Sequence, residues 1–151
     1  MSANSRFTTA VHALCWLELA ARRGRHTLTS QEIAASLASH PVLVRRTLAP
    51  LRDAGIVTVA GRGPGAGWSL GRAAGFITLY DVYRVLGSET PFALHPHEPN
   101  GECPVGFGIR PVLMAVYQEV EMSIAGSLER KTIDDVLETI LNEHPLTVVT
   151  E

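Results

Sequence analysis

The sequence predicts a mainly α-helical fold with a small β-wing: a winged helix-turn-helix unit followed by a long C-terminal dimerisation helix. Three observations predict it. A helical stretch carrying Arg45 and Arg46 runs through Leu51-Arg52-Asp53-Ala54-Gly55 into the β-branched Ile56-Val57-Thr58-Val59 and the glycine-rich tip Gly61-Arg62-Gly63-Pro64-Gly65-Ala66-Gly67. A capping box and a helix-initiating proline precede that stretch. A seam of apolar residues spaced by three or four occupies the C-terminal third.

Each element follows in order. Phe7, Val11, Leu14 and Cys15 recur at i, i+4, i+7 and i+8, the stripe of a first helix ending near Arg22-Arg23-Gly24. Thr29-Ser30-Gln31-Glu32 opens a second helix with Ile33 and Leu37 on its apolar face. A polar turn from Ser36 to Pro41 leads to the third helix, and Pro41 suits its first turn because it has no amide to be orphaned there. Pro50 removes a hydrogen bond to Arg46, so a kink or a shortened helix is expected. Gly55 supplies a left-handed C-terminal residue. Ile56 to Val59 and Trp68-Ser69-Leu70 are short strands flanking an exposed turn.

The second half has its own organisation. Thr78-Leu79-Tyr80-Asp81 caps a short helix with Val82, Val85 and Leu86 inward, closing at Gly87. Residues 88–108 hold four prolines, three glycines and two histidines and read as a loop. A long helix is expected from Ile109, with Pro111 in its first turn and Leu113, Val116, Val120 and Ile124 continuing the seam. Thr132-Ile133-Asp134-Asp135 caps a final helix whose apolar face holds Ile133, Val136, Leu137, Ile140 and Leu141. The expected organisation is a DNA-binding domain over 1–87, a sensor-like loop over 88–108, and dimerisation and C-terminal helices over 109–151.

The chain has 151 residues and a net charge of −2 that hides a division. Residues 1–75 carry nine arginines against Glu18, Glu32 and Asp53, a net of +6; residues 76–151 carry four basic and twelve acidic residues, a net of −8. A basic half is a local footprint for phosphate, while the acidic half favours solubility. No stretch approaches the roughly 20 apolar residues of a membrane span, and nothing resembles a secretory signal. Two cysteines, Cys15 and Cys103, make neither a disulfide framework nor a four-cysteine zinc site, so a cytoplasmic protein is expected.

Other chemistries fit poorly. A Walker loop needs Gly-Lys-Ser/Thr leading into a helix, whereas these glycines lead into a strand. Cys103 has no base arranged by motif, so a thiol enzyme is not expected. Thr29, Ser30 and His40 are candidate phosphate donors near helix N-termini, with Thr29 equally suited to be only a cap. Arg52 fits either a phosphate clamp or a surface pair with Asp53.

From Ser5 to about Leu141 the chain resembles the bacterial Rrf-two-type transcriptional regulators, a family of repressors concerned with iron–sulfur assembly, cysteine metabolism and nitric oxide. The match rests on Arg6 to Val11, Leu51-Arg52 with Ala54-Gly55-Ile56-Val57, the wing Arg62 to Trp68, and Ile77-Thr78-Leu79-Tyr80-Asp81-Val82. Pro91-Phe92-Ala93-Leu94-His95 and Cys103-Pro104-Val105-Gly106 resemble the branch with one loop cysteine.

The resemblance implies a homodimer on a roughly palindromic operator in double-stranded DNA. It implies base reading by Val42, Arg45 and Arg46 and minor-groove insertion of Arg62, with the wing glycines Gly63 and Gly65 beside it. Arginine suits both places, donating twice to guanine or entering a narrow electronegative groove. The cluster-binding members carry three closely spaced cysteines where this sequence has Cys103 alone, so no conventional iron–sulfur cluster is expected. Cys103 is suited either to control by oxidation or electrophile chemistry or merely to packing the loop, and Cys15, on an apolar stripe, is expected to be inert. Two alternatives stay open. One is a regulator taking a metal or small ligand in the 91–106 loop, through His95, His97, Glu98, Glu102 and Cys103. The other is a helix-turn-helix module that binds protein and not DNA.

Overall fold

The computed structural model describes residues 3–87 and 90–146; residues 88 and 89 of the expected loop and both chain ends lie outside the described residues. Helix α1 (Ala3–Arg22) buries Ala10, Ala13, Leu14, Cys15, Leu17 and Ala20, while Phe7 and Val11 are only half-buried. Its inward face is therefore centred on small alanines rather than on the expected large stripe. Alanine permits close helix packing, and the Phe7–Val11 edge turns instead toward the C-terminal helix.

The capping box at Thr29 forms as its sequence requires. Thr29 Oγ1 accepts from the Glu32 amide at 3.2 Å and the Glu32 carboxylate accepts from the Thr29 amide at 2.8 Å, opening α2 (Ser30–Leu37). The helix stops at Ala38, a non-glycine residue in the left-handed region at φ 50°. Helix α3 (Pro41–Asp53) starts on Pro41 and runs on past Pro50 to its C-cap at Ala54, so the expected shortening does not occur. The exit is a Schellman arrangement: Gly55 sits at φ 78°, its amide donates to Arg52 O, and the Ile56 amide donates to Leu51 O. Val44, Leu48 and Leu51 point inward and are fully buried.

The wing is a three-stranded antiparallel sheet. Strand β1 (Leu28–Thr29), β2 (Val57–Ala60) and β3 (Gly67–Leu70) lie in the order β1-β3-β2, so β3 is central, with Trp68 opposite Leu28 on one side and Val59 on the other. Two residues are too few for a period-two signal, and Thr29 was already explained by its cap, so β1 was not legible in the sequence. Ala66 and Gly67 are buried and belong to the strand side, which confines the exposed tip to 61–65. A Cβ on Gly67 would lie 2.7 Å from the Thr27 side chain, so the wing root sits directly on the segment leading into β1.

Thr78 caps α4 (Leu79–Val85) as expected. The long helix α5 (Pro104–Glu129) begins five residues before Ile109, with Pro104 in its first turn and Pro111 inside it. Proline at the first helical position is the stronger start signal, and Pro104 carries it. Tyr117 stacks on Phe92 at 5.3 Å and Arg110 donates to His95 O at 3.1 Å, so residues 90–97 form a strap along α5. Helix α6 (Ile133–Glu143), capped by Thr132, returns to pack on α1 rather than staying with α5. Ile133 and Leu137 are buried there, and Arg22 bridges Glu18, Asp134 and Glu138. Hydrogen bonds to Glu138 and Glu18 raise the Arg22 pKa. Helix α5 meets α4 but has no fully buried residue of its own among those described.

Candidate nucleic-acid interface

The basic residues of the first half converge where α3 meets the wing. A groove of about 440 Å3 separates them, and Arg45 and Arg52 from α3 line it together with Arg62 at the wing tip. Arg46 is exposed but does not line it, as expected for a neighbour turned by about 100° around the helix. Val42 is 54% exposed on the open face of α3. Among the described residues no ion pair holds Arg45, Arg46 or Arg62. Their guanidiniums are therefore available to an anionic partner.

The remaining candidates divide. Arg52 donates to Asp53 Oδ1 at 3.2 and 3.3 Å, an exposed pair of the sort worth at most about 1 kcal/mol and readily exchanged for phosphate. His40 is the exposed N-cap of α3 and makes no side-chain cap bond. Gly63 needs its left-handed conformation at φ 72°, and Gly65 is exposed beside it. Thr29 spends its hydroxyl on the cap. Ser30 is only 3% exposed, and its hydroxyl oxygen accepts from Trp68 Nε1 at 3.1 Å. The hydroxyl keeps its own proton to donate, and Ser30 lines the groove beside Arg45 and Arg62. Sequence reading missed this bond because neither a serine after a cap nor a tryptophan after glycine signals the other.

Cys103 is likewise placed differently from the expected loop. It is the N-cap of α5, exposed, with its amide donating to Asn100 O at 3.3 Å. Asn100 Oδ1 accepts from the Glu102 amide at 2.9 Å, and a Cβ on Gly106 would lie 2.1 Å from Asn100 O. Glycine at 106 thus lets the preceding turn lie flat on the first turn of the helix. The Gly106 and Val105 amides face the sulfur and hold the Cys103 pKa below its usual 9.0, although no short cap bond closes. Cys15 is the opposite case: burial pushes its thiol up to about 11, and its sulfur lies 3.9 Å from Ile133 O.

The alternative metal set is not assembled. Among the described residues no three His, Cys, Asp or Glu side chains gather as a metal site, so His95, His97, Glu98, Glu102 and Cys103 do not converge. Cys103 is drawn into the first turn of α5 while Arg110 fixes the strap at His95.

Residues 3–139 match the family model described as "Rrf2: Iron-dependent Transcriptional regulator". YwnA of Bacillus subtilis (strain 168), described as an HTH-type transcriptional regulator, is 35% identical over 135 residues, covering 89% of this chain and 96% of YwnA. Among solved structures, T. potens IscR superposes with a TM-score of 0.68 at 22% identity, covering 95% of this chain and 90% of that one. Staphylococcus aureus CymR superposes with a TM-score of 0.64 at 19% identity, covering 89% and 96%. These two likenesses concern the fold.

Proposed function

The chain belongs to the Rrf2 family of transcriptional regulators, not enzymes, and from that premise we propose that it is a homodimeric repressor binding a roughly palindromic DNA operator. The observation that carries the DNA reading is the shared groove: Arg45 from α3 and Arg62 from the wing line one cleft from opposite sides, with no ion pair among the described residues. Helix α3 would enter the major groove, where Arg45, Val42 and Arg46 meet base edges or phosphate, and Arg62 would enter the flanking minor groove. Dimerisation is supported by α5, whose Val105, Phe107, Val112 and Met122 are each more than 60% exposed in one protomer. No helix among the described residues is long and apolar enough to cross a membrane, which agrees with a cytoplasmic site of action.

Control is proposed to lie at the Cys103 thiol. Its exposure and lowered pKa favour the thiolate, the form that peroxide oxidises to sulfenic acid and that electrophiles alkylate. The iron in the family description finds no ordinary ligand set here. One exposed thiol and one buried thiol do not make the four ligands, mostly thiolate, of a cluster. No step is therefore assigned to iron.

The test is selection of bound fragments from random duplex DNA, with reduced and oxidised protein side by side. A palindromic consensus enriched by the reduced protein and lost on oxidation is expected. Failure to enrich any sequence overturns the DNA reading, and equal enrichment overturns the thiol control.

A further inference from the structure

We infer that Ser30 and Trp68 are positioning residues that hold the wing at a fixed attitude to α3, an inference resting on the DNA-binding reading above. Trp68 stands in the central strand, its backbone paired with Leu28 and Val59, so an indole held in place helps hold the strand that carries β2 and the Arg62 tip. Its indole nitrogen has one proton and no lone pair, so the Ser30 oxygen must accept. Both side chains are less than 5% exposed. A buried donor that loses its acceptor is left at a cost in free energy.

The placement gives the bond its purpose. Ser30 is the first residue of α2, which packs against α3, so the acceptor belongs to the helix-turn-helix and the donor to the wing. Besides the short connection from α3 to β2 and the contacts around it, backbone pairing ties the two through a β1 of only two residues. Ser30 and Trp68 line the same groove as Arg45 and Arg62. The hydrogen bond is thus a strut across the floor of a cleft whose walls carry the two guanidiniums. Gly67 against Thr27 blocks movement at the adjoining residue. With the strut in place, the distance between the major-groove and minor-groove contacts is set by the protein.

Ser30→Ala and Trp68→Phe in the full chain test this, read by amide hydrogen exchange and by binding to duplexes altered either inside the half-site or in its flank. The expected result is faster exchange across β2 and β3, by about tenfold, with α2 and α3 unchanged. Discrimination among flanks should fall by a similar factor while half-site discrimination stays within about twofold, and the double variant should add little to either single change. Trp68→Phe keeps the ring packing and carries the test if Ser30→Ala fails to fold. Parallel loss at half-site and flank, or unchanged wing exchange, overturns the strut. A native chain that distinguishes no duplexes overturns the DNA reading instead, and the exchange measurement still judges the bond.

Discussion

Arg45 and Arg62 reach one groove from different elements, so their removal should be felt differently. Arg45→Ala is expected to relax base preference inside each half-site, at about 1–3 kcal/mol for the base pair concerned, and Arg62→Ala to weaken preference for flanking A·T pairs. Competition binding with single-base operator variants separates the two. The two thiols differ as sharply. At pH 8 iodoacetamide should label Cys103 and leave Cys15 unmodified in the folded protein, because one thiol lies below its usual pKa and the other near 11. Mass spectrometry of the labelled chain decides it. A Cys103→Ser variant should bind the operator as before and lose its response to peroxide, hypochlorite or quinones. The arginines were legible in the sequence because charge on an amphipathic helix and on a glycine-rich tip is a local signal. The burial of Ser30 was not, since it depends on a residue 38 positions away.

The three capping boxes at Thr29, Thr78 and Thr132 were readable because threonine and an acidic residue three positions on satisfy each other's backbone. Thr29→Ala should lower stability by about 1 kcal/mol in denaturant unfolding. The boxes also set an acid limit. Glu32 and Asp135 accept backbone amides and are held below their ordinary values of 4.5 and 3.8. Their contribution is fully present above those values and disappears as pH falls through the lower folded ones. Acid titration followed by circular dichroism should show Glu32→Gln flattening that dependence. Element boundaries were less readable where prolines compete. Pro111 suggested a helix start at Ile109, yet Pro104 and the Asn100 turn place it earlier, which moves Cys103 from loop to helix cap.

At the scale of the whole molecule, the division of charge puts every free groove arginine on the half that is basic and leaves the net charge uninformative. Operator affinity should therefore fall steeply between about 50 and 200 mM salt, whereas an apolar protein contact would not; fluorescence anisotropy at several salt concentrations measures the slope. The return of α6 to α1 was not readable, because a capped amphipathic helix declares its apolar face and not what covers it. Helix α5 meets α4 and the 90–97 strap among the elements described above. It lies against the body near Glu121, Met122 and Ala125, leaving its first two-thirds as an arm about 27 Å long with Cys103 at the tip. Displacing that tip by 1 Å turns the root by only about 2°. In the proposed homodimer, chemistry at the thiol would therefore act less by levering its own DNA-binding unit than by changing what the exposed face of α5 meets.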